Sequence, residues 1–169
     1  MSKSTTQDSM KIHGMFRVHI EEDGKIVGDS GWHENQITTY GFNNFIVSSL
    51  GSIAGSAYIG WAALGTGTAP ATNAQYLPGE NYTNGSSSVV RASVAAATSS
   101  TSKALALTAT FNSTNSFVTS TGANISNIGL YNISGPTTAA GSLFAGNTYT
   151  SSALASNQNV NITYSVSFS

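Results

Sequence analysis

The sequence predicts a mainly β protein, an antiparallel β-sandwich of jelly-roll or immunoglobulin-like type with an N-terminal β-hairpin and one short helix. Three observations predict it. From Ser86 onward, short runs alternate apolar and polar residues, as half-buried strands require. Gly- and Asn-containing turns separate these runs at intervals of about ten residues. Charged residues make up only 8% of the 169, against a usual share of about 25%, so the solvent faces of the strands are built from Ser, Thr and Asn.

Taken in order, residues 1–10 are polar and aperiodic, and read as a flexible arm that orders against a partner. Residues 11–35 form the hairpin. Ile12, Phe16, Val18 and Ile20 alternate with His13, Met15, Arg17 and His19, and Asp23-Gly24 supplies a two-residue turn in which both positions need φ > 0. Counting back from that turn sets Arg17 opposite Ser30, His19 opposite Gly28 and His13 opposite Glu34. The body spans 36–169. Phe42, Phe45, Ile46, Ser49, Leu50 and Ile53 fall on one helical face, which predicts a helix near 38–53 with Thr38 or Thr39 as N-cap. Residues 57–64 read as a buried strand leading into the loop "GTGTAPATNAQYLPGE". The strands "SSVVRASVAAA", "ALALTATF", "NISNIGLYN" and "GSLFAGNTY" follow. The last, "NVNITYSVSF", is the plainest: Val160, Ile162, Tyr164, Val166 and Phe168 point one way, Asn161, Thr163, Ser165 and Ser167 the other.

The composition narrows function. The formal net charge is −1 and no basic stripe is present, which argues against nucleic acid as a partner. No run reaches the roughly 18 apolar residues of a membrane span, and "MSKSTTQDSMKIHG" lacks the apolar core of a signal peptide, so the expected site of synthesis and assembly is the cytoplasm. There is no cysteine, hence no disulfide framework and no thiolate metal site. Ten of the Asp, Glu, Lys and Arg residues lie before position 35, and only Glu80, Arg91 and Lys103 follow. A body with so little charge has little to repel its own copies, a liability for a free monomer that disappears inside an assembly.

Several motifs invite chemistry. "GDSG" at 28–31 has the letters around a trypsin-like nucleophile, but a triad needs a base in reach and a carboxylate behind it. Only 29 residues precede Ser30, so no catalytic residue is expected. His13 and His19 share a strand face about 20 Å apart and His33 faces the other way, so no metal site is expected. "GTGTAP" lacks the Lys-Ser/Thr of a phosphate-binding loop, and no cofactor is expected. Glu80 and Arg91 are the opposite charges of the body: either both are simply solvated, or the loop brings them together as a bidentate ion pair fixing it to the sheet, whose loss costs roughly 1–3 kcal/mol. The aromatics Trp32, Tyr40, Phe42, Phe45, Tyr58 and Trp61 are read mainly as core. Candidate interface residues are Met10, Ile12, Trp32, His33, Tyr58 and Trp61.

The ordered series "ALGTGTAP", Leu77, Glu80, Arg91, "TATF" ending at Phe111, Gly129-Leu130-Tyr131-Asn132 and Leu143-Phe144 resembles the small virion structural proteins of tailed bacteriophages, over about residues 57–168. It departs where a Glu commonly precedes the Gly-Leu pair (Ser126 or Asn127 here) and where an Arg follows the later strand (Gly146-Asn147 here). The resemblance implies a non-enzymatic virion part whose partners are other virion proteins, a major capsid protein or tail proteins, and copies of itself. A capsid decoration or cement protein is the first expectation. A tail, connector or fibre-adaptor subunit is the second, and a host-glycan-binding module the third.

Overall fold

The structure is a computed structural model that describes residues 11–51, 57–80, 91–99, 103–112, 124–134, 143–155 and 157–169. The arm 1–10, with Met10, lies outside the described residues. Two antiparallel sheets pack face to face as a β-sandwich. Strand β1 (Ile12–Glu22) runs into β2 (Lys25–Asp29), followed by the short β3 (His33–Glu34) and β4 (Gln36–Ile37). After a helical segment come β5 (Trp61–Gly65), β6 (Arg91–Ser93), β7 (Ala95–Ser99), β8 (Ala104–Phe111), β9 (Asn124–Tyr131), β10 (Leu143–Ala153) and β11 (Asn159–Phe168).

The first sheet has the order β2-β1-β11-β8-β7, with β3 also on β1, and the second β4-β10-β9-β5-β6. The chain changes sheets at Val94, between β6 and β7, and Val94 N–H donates to Gly60 O at 2.9 Å. The alternation of β11 follows the sequence pattern: Val160, Ile162, Tyr164 and Val166 are buried between the sheets. In β8, Leu107, Ala109 and Phe111 are likewise buried. The inner faces fuse into one core in which Phe16 stacks on Tyr164 with centroids 5.5 Å apart.

The hairpin belongs to the first sheet: β1 pairs with β11 from Ile12↔Phe168 to Glu21↔Asn159. Its turn has φ 48° at Asp23 and 74° at Gly24, the left-handed pair that the Asp-Gly sequence favours. The expected register fails beyond the turn. Ile26 faces Glu21 but Gly28 faces Ile20, so Val27 is an extra residue and every later partner moves. His19 therefore faces Asp29, and one more extra residue at the Gly31 break sets Phe16 opposite His33 and Met15 opposite Glu34. Gly28 explains the slip: a Cβ there would lie 3.1 Å from Ile20 Cδ1, so the glycine lets the Ile20 side chain lie against the strand. The return strand also breaks at Gly31 (φ 72°) instead of continuing to Glu34.

The helix is real but wound differently from expectation. Thr38 caps it, its Oγ1 accepting from Gly41 N–H at 2.9 Å. One α turn (Thr39–Gly41) leads into a π stretch (Phe42–Val47) and a second α turn (Ser48–Leu50). Ser48 donates both its N–H and its hydroxyl to Asn43 O, the latter at 2.8 Å, which favours the wider i→i+5 turn. Widening redistributes the predicted apolar face: Phe45 is buried against Phe144, whereas Phe42, Val47 and Leu50 are exposed. Ile53 lies outside the described residues. The strand expected at 57–64 begins only at Trp61.

Candidate functional site

Residues 66–79 leave β5 and return to it as an Ω-loop whose ends meet, Gly65 bridging Glu80. The loop lies on the outer face of the second sheet, where Leu77 packs with Ala63, Tyr131 and Leu143 in a small core of their own. This cover accounts for the nearly continuous burial of β9, buried on both faces from Asn127 to Tyr131.

Four sets of contacts hold the loop down. Asn127, fully buried on β9, donates Nδ2 to the carbonyls of Thr68 and Pro78, both at 2.8 Å. Ser126 Oγ donates to Gly67 O at 3.0 Å. Backbone runs against backbone at Gly67, where a Cβ would sit 2.3 Å from Pro78 O. The fourth contact is ionic. Arg91, at the start of β6, donates Nε to Glu80 Oε1 at 2.7 Å and a terminal nitrogen to Glu80 Oε2 at 3.1 Å. Its other terminal nitrogen donates to Ile133 O at 3.0 Å.

Tyr131 completes the cluster. Its hydroxyl donates to Glu80 Oε2 at 3.0 Å and accepts from Leu77 N–H at 2.6 Å, while the Arg91 guanidinium lies 3.5 Å from its ring centroid. Burial pushes the Tyr131 phenol well above the ordinary range, and the Glu80 carboxylate adds to the effect. Both ionic side chains are almost out of water, Arg91 1% and Glu80 5% exposed. The charges are thus neutralised, hydrogen-bonded and walled in, which suits a lock and leaves no approach for a substrate.

The other candidate residues are dispersed. Ser30 follows β2; its hydroxyl accepts from Val18 N–H at 3.0 Å and donates to Gly31 O at 2.8 Å, so it is occupied by backbone. His33 stacks on Phe16 and its Nε2 lies 2.8 Å from Ser30 O, giving it a packing role in the hairpin. His19 lies 3.7 Å from Asp29, which Arg17 grips through both its Nε, at 2.9 Å, and a terminal nitrogen. That grip, with a hydrogen bond from Gly31 N–H, holds the Asp29 carboxyl far below the usual range. Among the described residues no three His, Cys, Asp or Glu side chains gather as metal ligands would.

Ile12 packs against the main core and Trp61 against the small one under the Ω-loop, both partly buried. Trp32, Phe42 and Tyr58 are exposed, which corrects their assignment to the core; Phe45 belongs there and Tyr40 is half-buried. Tyr58 and the helical residue Leu50 border an apolar groove of about 700 Å³, floored by Phe45, Leu107, Phe144 and Val166 at one end of the sandwich. Its walls join residues some 120 positions apart in sequence, Phe45 to Phe168 among them, and the only signal in the chain was the excess of apolar residues on the helix. No known protein family, curated protein or solved structure matches this chain.

Proposed function

We propose that the chain is a non-enzymatic structural subunit of a tailed-bacteriophage virion, assembled in the host cytoplasm, and that it decorates and cements the head shell. One observation carries this. Eight of the spaced residues of the virion-like motif series, Gly65, Gly67, Leu77, Glu80, Arg91, Gly129, Tyr131 and Leu143, meet in the Ω-loop lock. A motif series whose members converge on a sealed ion pair specifies a shape, as a building block needs, and leaves Glu80 no free oxygen for acid–base work. The sparse charge beyond residue 34 supports the same view, since a body enclosed by neighbours needs no charged surface. Its partners are then shell proteins and copies of itself.

Deletion of the gene, followed by negative-stain microscopy and heating of the particles, tests the proposal. Heads that form but lose surface knobs or open at lower temperature are the expected result. Tailless heads would move the subunit to the tail or connector. Intact particles that no longer adsorb would favour glycan binding, and fully normal particles would overturn a virion role.

A further inference from the structure

Each sheet has two edges, and an unpaired edge invites another strand unless something blunts it. Among the described residues, three of these edges are blunted. At one edge of the first sheet, β2 is bulged at Val27 and carries Lys25 and Asp29. The second sheet ends in β4, two residues long, and in β6, three residues long and headed by Arg91. The fourth edge is different. Strand β7 pairs with β8 in unbroken register from Ala95↔Thr108 to Ser99↔Ala104, without bulge, proline or charge. Ala95, Ala96, Ala97 and Thr98 are all exposed.

The same edge borders the apolar groove, since Ala96 lines it beside Leu105 and Leu107. Leu50, 76% exposed, and Tyr58, 73% exposed, stand at the rim with Phe168, and Phe42 and Val47 are exposed on the same helical segment. Leu50, Tyr58 and Phe168, with the exposed Ala95, Ala96, Ala97 and Thr98 of β7 beside them, present roughly 600 Å² of largely apolar surface, at the ceiling for a lone monomer.

We infer that β7 and the groove rim form a homotypic interface, with β7 of one copy pairing antiparallel to β7 of a second copy across a two-fold axis near Ala97. A second copy fits for two reasons. Two such patches together bury about 1,200 Å², which reaches what a specific dimer needs. The described strand and rim carry no Asp, Glu, Lys, Arg or His, so identical faces meet without like-charge repulsion and offer no sign to a charged partner. Centred on Ala97, the pairing sets Ala96 opposite Thr98 of the other copy, small enough for close strand approach, and makes the first sheets continuous. Pairing through β7 names a surface for the self-association proposed above and stands apart from the virion assignment, because it is read on the purified chain alone.

The test is sedimentation equilibrium of the full chain with three variants, each checked for folding by circular dichroism. Ala97 is exposed and lies on the outer face, so Ala97→Lys or Ala97→Glu leaves the fold intact while placing like charges opposite each other. Wild type is expected to dimerise with a micromolar Kd, each variant to weaken dimerisation at least tenfold, and a mixture of the two to restore it as a heterodimer. Ile26→Lys, on the blunted edge, is expected to change nothing. A wild-type chain monomeric at about 100 µM, a dimer indifferent to Ala97→Lys, or a mixture that stays monomeric would each overturn the inference.

Discussion

Replacing Glu80 by alanine exposes the energetics of the Ω-loop lock. In the native chain the carboxylate takes two hydrogen bonds from Arg91 and one from the Tyr131 hydroxyl. Its removal strips a guanidinium only 1% exposed of the carboxylate that neutralises it, the Ile133 carbonyl and the face of Tyr131 remaining among its contacts. A pair half in water would cost roughly 1–3 kcal/mol to break, but removing one partner of a pair at this depth costs about 3–5 kcal/mol. For a chain of this length that lowers Tm by roughly 10 °C. Calorimetry and urea unfolding of Glu80→Ala measure it, and proteolysis between residues 66 and 79 should accelerate as the loop lifts. The double variant Glu80→Leu, Arg91→Met, which removes both charges and keeps apolar volume, should lose less than Glu80→Ala alone. A loss under about 1 kcal/mol for Glu80→Ala, the value of an exposed pair, would refute the lock.

Other perturbations report on separate parts of the structure. Tyr131→Phe leaves the Leu77 N–H without its acceptor, and should cost about 1–3 kcal/mol in urea unfolding. Gly67→Ala pushes a methyl into the Pro78 carbonyl and should destabilise by at least about 1–3 kcal/mol, whereas Gly24→Ala, in open space at φ 74°, is strained only by its backbone. The depressed Asp29 carboxyl has a definite sign: its lower folded pKa adds stability above the unfolded value near 4, lost as pH falls through the folded one. Asp29→Asn should therefore flatten the acid limb of a pH–Tm profile, and an unchanged limb would show that the Arg17 contact contributes nothing. Burial raises the phenols of Tyr131, Tyr149 and Tyr164, so their stabilising effect is lost as pH climbs, and their phenolate absorbance should appear together with unfolding.

Much of the fold was legible because local pattern and final environment agree. Strand β11 alternates without exception from Val160 to Val166, and the Asp23-Gly24 turn has the conformation its residues prefer. What escaped the sequence depended on contacts made across the fold. The Val27 bulge arises where Gly28 meets Ile20, and it shifted each pairing inferred beyond it. The π turns follow from Ser48 reaching back to Asn43, which hydrophobic periodicity does not register, so Phe42 and Leu50 were assigned to a buried face. The partnership of Glu80 with Arg91 could be expected because the body holds so few charges, but Tyr131 as its third member could not, since 51 residues separate it from Glu80. Asn127 looked like a departure from the motif series, yet its amide holds two loop carbonyls.

Quantitative mass spectrometry of purified, nuclease-treated phage particles tests the central claim most directly. The chain is expected in many copies per particle, retained through density-gradient purification and released together with loss of head stability. Its absence from the particles, with the purified chain turning over a substrate in solution, would contradict the account.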